Sequence, residues 1–112
     1  MRVVYVAGPY RAANAWDIEQ NVRCAEEAAL GVWRAGAAAL CPHTMTRYYQ
    51  GVLPDRTWLE GDLEMLTRCD ALLLVDGWEK SLGTQDELAL AVGLDIPVFT
   101  SLKPLRAWLK ES

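Results

Sequence analysis

The sequence predicts an α/β fold, and three observations carry that prediction. Residues 3–6 and 71–75 are short apolar runs of the kind found in strands covered on both faces of a parallel sheet. Longer stretches between them repeat apolar residues at helical spacing. The two kinds of segment alternate along the whole chain, which is the pattern of a parallel sheet with helices on both faces.

Taken in order, residues 3–6 form the first strand, which ends in Ala7-Gly8-Pro9-Tyr10-Arg11. Gly-Pro marks a turn, and Pro9 forbids a helix running through it. A helix is expected over 17–34, where Val22, Ala25, Ala29, Leu30 and Trp33 recur at helical spacing. Gly36 stops it, and 37–40 is a second short strand. Residues 41–56 form the longest irregular piece, rich in aromatic and hydroxyl side chains, and such a stretch in a compact domain points to function.

A second helix is expected over 57–69, opened by the capping-box pattern Thr57-x-x-Glu60. The central strand, 71–75, runs into a small-residue loop bracketed by Gly77 and Gly83. Thr84 is then expected to N-cap a helix reaching Leu94, with Glu87 in its first turn. A fourth strand at 97–100 and a closing helix at 102–110 complete the chain, with no repeat and no linker. Right-handed crossovers turn this order into a small three-layer domain, flavodoxin-like or Rossmann-like, with a parallel sheet of four to five strands.

Bulk properties narrow the function classes. The 112 residues fit one domain, 1–112, and the 52% apolar share is that of a globular chain. A net charge of −4 with mixed signs argues against a polymeric nucleic-acid partner. It leaves room for a small anion, since one or two arginines hold a phosphate. No signal-peptide pattern and no bilayer-length apolar run are present, so a cytoplasmic protein without membrane association is expected. Cys24, Cys41 and Cys69 read as buried, reduced thiols, and with a single histidine they offer no metal set. Neither a P-loop nor a GxGxxG is present, and no cofactor is expected.

Asp62 is the most informative single residue. On a helical wheel Trp58, Leu59, Leu63, Met65, Leu66 and Cys69 fill one arc, and Glu60, Gly61, Glu64, Thr67 and Arg68 fill the other. Asp62 falls inside the apolar arc. A carboxylate there is hydrogen-bonded, paired or in a cleft, because burying it bare is costly. Its bland alternative is a residue that caps nearby backbone.

Glu87 faces a stronger alternative, since Thr84-x-x-Glu87 is itself a capping box and acids suit a helix N-terminus. It nevertheless shares a side with Ala91 and Leu94. Arg11, after the first strand, either holds a phosphate or lies on the surface. Ser81 and the backbone N–H groups from Gly83 onward have the makings of an anion nest. Tyr5 belongs to the core, and its hydroxyl needs a partner that a carboxylate near the strand's end supplies. Tyr10, Trp16, Tyr48, Tyr49 and Trp78 lie in or beside the loops at one edge of the sheet, where a flat ligand such as a nucleobase fits, as does ordinary packing. His43 reads as a loop hydrogen-bonder.

Three segments in this order, Tyr5-Val-Ala-Gly8-Pro-Tyr-Arg11, Asp62-Leu-Glu-Met-Leu and Ser81-Leu-Gly83-Thr-Gln-Asp-Glu87-Leu, resemble the nucleoside 2-deoxyribosyltransferase superfamily. The resemblance covers most of the chain and is strongest to the 2′-deoxynucleoside 5′-phosphate N-hydrolase branch. The Gly77-to-Glu87 run also resembles short uncharacterised phage and bacterial members. The resemblance implies N-glycosidic chemistry on a small-molecule nucleoside or nucleotide. Glu87 matches the glutamate that attacks the anomeric carbon, Tyr5 the tyrosine that orients it, and Asp62 the aspartate that binds the sugar or protonates the leaving base. Arg11 and Ser81 match positions holding the 5′-phosphate. Gly8, Pro9, Tyr10, Trp78 and Gly83 fall beside them as substrate-binding positions. A homodimer or higher homo-oligomer is also implied, with Ser101 near where a neighbouring subunit contributes.

The Ala-Gly-Pro turn is closer to the transferases, whereas Arg11 and the short chain favour the phosphate hydrolases. The expected function is therefore cleavage of, or transfer through, the N-glycosidic bond of a (deoxy)nucleoside 5′-monophosphate. The alternative is a nucleotide-binding or sensor domain of the same fold without turnover. A phosphoacceptor domain built on Asp76 would need an acidic pair after the first strand, where Ala7-Gly8-Pro9 stands instead.

Overall fold

Strand β1 (Val3–Ala7) leads into helix α1 (Ala15–Arg34), then β2 (Ala38–Leu40), a one-turn helix α2 (Pro42–Met45) and α3 (Asp55–Leu66). Strand β3 (Ala71–Leu74), α4 (Leu82–Gly93), β4 (Val98–Phe99) and α5 (Leu102–Glu111) follow, in a computed structural model that describes residues 1–111. Ser112, the last residue of the expected domain, lies outside the described residues. The four strands form one all-parallel sheet in the order β2-β1-β3-β4. The chain is thus the small three-layer, Rossmann-like α/β domain that the alternation of elements predicts, with four strands in the sheet.

The period of two along each strand sorts the core into two halves. Val4 and Val6 of β1 and Ala71 and Leu73 of β3 pack with Ala25, Ala29 and Val32 of α1 and Leu105 of α5. On the other face Tyr5, Ala7, Leu72 and Leu74 pack with Leu66 of α3 and Ala91 of α4. Helices cover both faces, so β1 and β3 are apolar at every position rather than at alternate ones.

Local signals account for most element ends. Asn14 caps α1, its side chain accepting a hydrogen bond from the Asp17 N–H at 2.8 Å. Gly36, with φ of +89°, turns the chain out of α1 into β2. The 41–56 stretch is less irregular than expected: it holds α2 and a 3₁₀ turn at Arg47–Tyr49. Pro42 at the start of α2 suits a first helical turn, where no amide donor is needed.

Two expected helix starts are corrected. α3 begins at Asp55, not Thr57, directly behind Pro54, which stands at the N-cap with the extended backbone (φ −59°, ψ 145°) that proline favours. The Thr57–Glu60 capping box does not form, and Glu60 instead pairs with Arg56 at 3.1 Å. α3 also ends at Leu66, leaving 67–68 in a turn. α4 begins at Leu82, capped by Ser81 rather than Thr84. The thiols also differ from expectation, since Cys41 and Cys69 are buried but Cys24 is exposed; all three are free.

β2 lies on one side of β1 and β3 on the other. The chain therefore reverses its direction of winding between β1 and β3. In open α/β sheets such a reversal parts the loops at the strands' carboxyl ends and leaves a crevice there.

Candidate active site

A cleft of about 790 Å³ opens at that place. Its floor is the loop leaving β1 (Gly8 to Arg11) and the turn leaving β3 (Asp76, Gly77), and its walls come from α3 and the start of α4. Gly8 is needed where these two loops meet, because a Cβ there would lie 2.8 Å from the Val75 Cβ. The Gly8–Tyr10 loop is held from outside by two bonds. The half-buried His43 ring donates from Nε2 to the Pro9 carbonyl at 3.0 Å, and Asn21 donates from Nδ2 to the Tyr10 carbonyl at 3.1 Å. Burial lowers the His43 pKa, which keeps the ring neutral in this role.

Ser81 organises the opposite wall. Its Oγ accepts from the Thr84 N–H at 3.2 Å and from the Thr84 hydroxyl at 2.9 Å. Thr84 is thereby an inward, buried residue of the first turn, 1% exposed, rather than the cap. With the cap at Ser81, Glu87 moves to the second turn of α4, out of reach of any capping box. The structural role that the sequence offered Glu87 is removed, and its carboxyl lines the cleft.

Asp62 reaches the same cleft from α3. The helical-wheel division holds except at Leu59, expected in the buried arc but 51% exposed: Glu60, Gly61, Glu64, Thr67 and Arg68 are exposed, and Trp58, Asp62, Leu63, Met65 and Leu66 are buried or half-buried. Burial raises the Asp62 carboxyl to about 6. Burial likewise raises Glu87, opposed by the nearby Tyr5 phenol and reinforced by the charges of Asp62 and Asp86, to about 7. Two carboxyls that perturb each other in one cleft titrate as a pair near neutrality.

Tyr5 lies beneath them, 0% exposed. Its phenol is not among the groups lining the cleft, and its oxygen meets no partner at ordinary hydrogen-bonding distance. The two carboxylates are near enough to act on it. After burial itself, Glu87 and Asp62 are the largest influences raising its pKa. Tyr5 and Glu87 thus influence each other through a contact longer than an ordinary hydrogen bond.

Of the other expected binding positions, Gly8, Pro9, Tyr10, Arg11, Ser81 and Gly83 line the cleft. Trp78 does not; its ring packs on the Tyr5–Leu66 half of the core. Trp16, Tyr48 and Tyr49 also fall outside the lining, and Tyr10 alone of the loop aromatics is part of it. Ser101 is exposed and away from it.

Sequence reasoning missed several lining residues. Trp58, assigned to the buried arc of α3, is an aromatic wall of the cleft and stacks at a tilt on Tyr49, with ring centres 5.8 Å apart. Gln50, Asp55 and Lys80 also line it. The functional reading of 41–56 was the signal available for Gln50 and Asp55, but nothing local distinguished those two side chains.

Residues 2–101 match the model of a family described as a domain of unknown function, DUF7768. No curated protein matches the chain.

Proposed function

The chain belongs to the DUF7768 family, and for it we propose cleavage of, or transfer through, the N-glycosidic bond of a (deoxy)nucleoside or its 5′-monophosphate. The observation that carries this reading is the convergence of Glu87 and Asp62, from two helices, on one cleft above the buried Tyr5 phenol. The resemblance of the same three segments to the nucleoside 2-deoxyribosyltransferase superfamily supports it from the sequence side.

In this proposal the ionised Glu87 oxygen attacks the anomeric carbon. The carbon–nitrogen bond breaks with its electron pair going to the base, and Asp62 gives that nitrogen its proton. The transition state is oxocarbenium-like, which an adjacent carboxylate stabilises. Water, or the nitrogen of a second base, then attacks the anomeric carbon of the glycosyl ester. The ester bond breaks, Glu87 leaves as carboxylate, and Asp62 takes up the proton of the attacking group. Tyr5 donates to Glu87 and favours its charged form without adding a countercharge that would blunt it. Tyr10 and Trp58 offer flat apolar surface for the base.

A homo-oligomer is part of the same proposal. It is supported by the apolar side chains left in solvent at the end of α4, away from the cleft, Val92 at 62% and Leu94 at 50% exposed. The test of function is incubation with a panel of nucleosides and nucleotides followed by separation of free base. Release of base that stops in Glu87→Ala is the expected result. Binding without release, equally good in Glu87→Ala, would make this a binding domain without turnover.

A further inference from the structure

Among the described residues two buried polar side-chain atoms make no hydrogen bond, one beneath the cleft and one in its wall. The first is the Tyr5 hydroxyl, whose influence falls on Glu87. The second is the indole Nε1 of Trp58 on α3. An indole nitrogen can only donate, and enclosing a donor without an acceptor is costly. Such an atom calls for a partner.

The helix itself narrows the choice. Residues three and four apart face each other, so the neighbours of Trp58 along α3 are Asp55, Gly61 and Asp62. Asp55 is engaged: one oxygen accepts from Arg11 and the other from Gln50 Nε2 at 3.0 Å. Gly61 has no side chain. Asp62 has its carboxyl open, since no described residue donates to it. Trp58 and Asp62 both line the cleft, and helical side chains lean towards the N-terminus. The Asp62 carboxyl is thereby set over the turn that carries Trp58. A carboxylate accepts about twice as strongly as a neutral acid, so the indole gains most once Asp62 has lost its proton.

We propose that Trp58 is the positioning residue of Asp62: its indole N–H donates to the carboxylate left when Asp62 has given its proton to the base. The inference rests on the glycosidic reading for the event that ionises Asp62. In that step the Asp62 O–H bond breaks, the proton passes to the base nitrogen, and the carboxylate gains the indole bond. Trp58 keeps its own proton. Each carboxyl of the pair then has its own buried donor, Tyr5 for Glu87 and Trp58 for Asp62.

The first readout needs no substrate. The indole N–H resonance of Trp58, identified among those of the five tryptophans by its loss in Trp58→Phe, is followed against pH by proton–nitrogen correlation NMR. It is expected to move downfield as Asp62 ionises, with a midpoint at about 6. The other titratable groups around the cleft are Glu87 and Asp86 of α4, Asp55 of α3, Asp76 and Lys80 after β3, His43 of α2, Arg11 after β1, and Tyr5 beneath. The titration is therefore repeated in two variants, and is expected to persist in Glu87→Gln and to vanish in Asp62→Asn.

The second readout is kinetic. Trp58→Phe keeps an aromatic wall and removes the donor. It should lower kcat by about tenfold or more, the scale of one hydrogen bond to a charged group, and move the alkaline limb of kcat/KM to higher pH, with KM nearly unchanged. The same substitution in an Asp62→Asn background should cost nothing further. An indole signal indifferent to Asp62, or an equal loss of kcat in both backgrounds, overturns the inference and leaves the glycosidic reading intact. A signal that follows Asp62 in a protein that releases no base upholds the pairing and overturns the glycosidic reading.

Discussion

The buried Tyr5 phenol and the Glu87 carboxyl act on each other in opposite senses: the carboxylate holds the phenol protonated, and the phenol draws the carboxyl towards its ionised form. Strand β1 supplies one and helix α4 the other. In the proposed reaction this pair lets a carboxyl raised by burial act as the nucleophile near neutral pH.

Tyr5→Phe keeps the ring and removes the donor. The Glu87 pKa should rise, moving the acidic limb of kcat/KM to higher pH and lowering the rate below pH 7. The melting temperature should hold or increase, because the lost hydroxyl is buried without a partner at bonding distance. A limb displaced to lower pH would contradict the role given to Tyr5.

Glu87→Gln should abolish base release, by about a thousandfold or more as for other nucleophile deletions. It should also change the pH dependence of stability. The folded Glu87 pKa, about 7, lies above its ordinary 4.5, so the folded state binds the extra proton between those values. Stability from this group is complete below pH 4.5 and lost as pH rises through 7. Melting curves of wild type should therefore fall between pH 5 and 7 more steeply than those of Glu87→Gln, and equal slopes would speak against a buried, raised carboxyl.

Asp62→Asn removes both the proton donor and a negative neighbour of Glu87. In wild type kcat/KM should be bell-shaped, with limbs belonging to the coupled pair between about 6 and 7. The variant should lose the alkaline limb and keep a single acidic limb, the ionisation of Glu87 alone, at or above the pH of the wild-type acidic limb, to which Asp62 contributes. An unaltered bell would remove Asp62 from the chemistry.

Gly8→Ala places a methyl 2.8 Å from the Val75 Cβ, where both partners belong to rigid segments. A destabilisation of about 1–3 kcal/mol is expected, with loss of activity because the floor of the cleft shifts. Denaturant titration measures the first part. A neutral outcome would mean that the two loops part readily.

Why some of this was legible in the sequence follows from range. The apolar runs of β1 and β3 and the wheel position of Asp62 depend on period and burial alone, so they read correctly in one dimension. The α4 start did not, because Ser81 and Thr84 are both good caps. Only the packing of the Thr84 side chain inward, against Ser81, decides between them. Pro54 displaced the Thr57 box in the same way, standing as the residue before a helix that starts two residues earlier, at Asp55. Trp78 shows the limit for ligand-facing residues. A loop tryptophan next to a site turns to core or cleft according to tertiary contacts that no local pattern carries. The Arg11–Asp55 pair joins residues 44 positions apart and has no local signature at all.

The central claim is that Glu87 forms a bond to the sugar, and mass spectrometry of a trapped intermediate tests it most directly. The protein would be incubated with 2′-fluorinated arabinosyl nucleosides and 5′-monophosphates, whose electron-poor sugars slow breakdown of a glycosyl ester, and then digested. The account predicts a sugar-sized mass increase on the peptide carrying Glu87, absent in Glu87→Gln. An adduct on another residue, or free base released with Glu87 replaced, would contradict it.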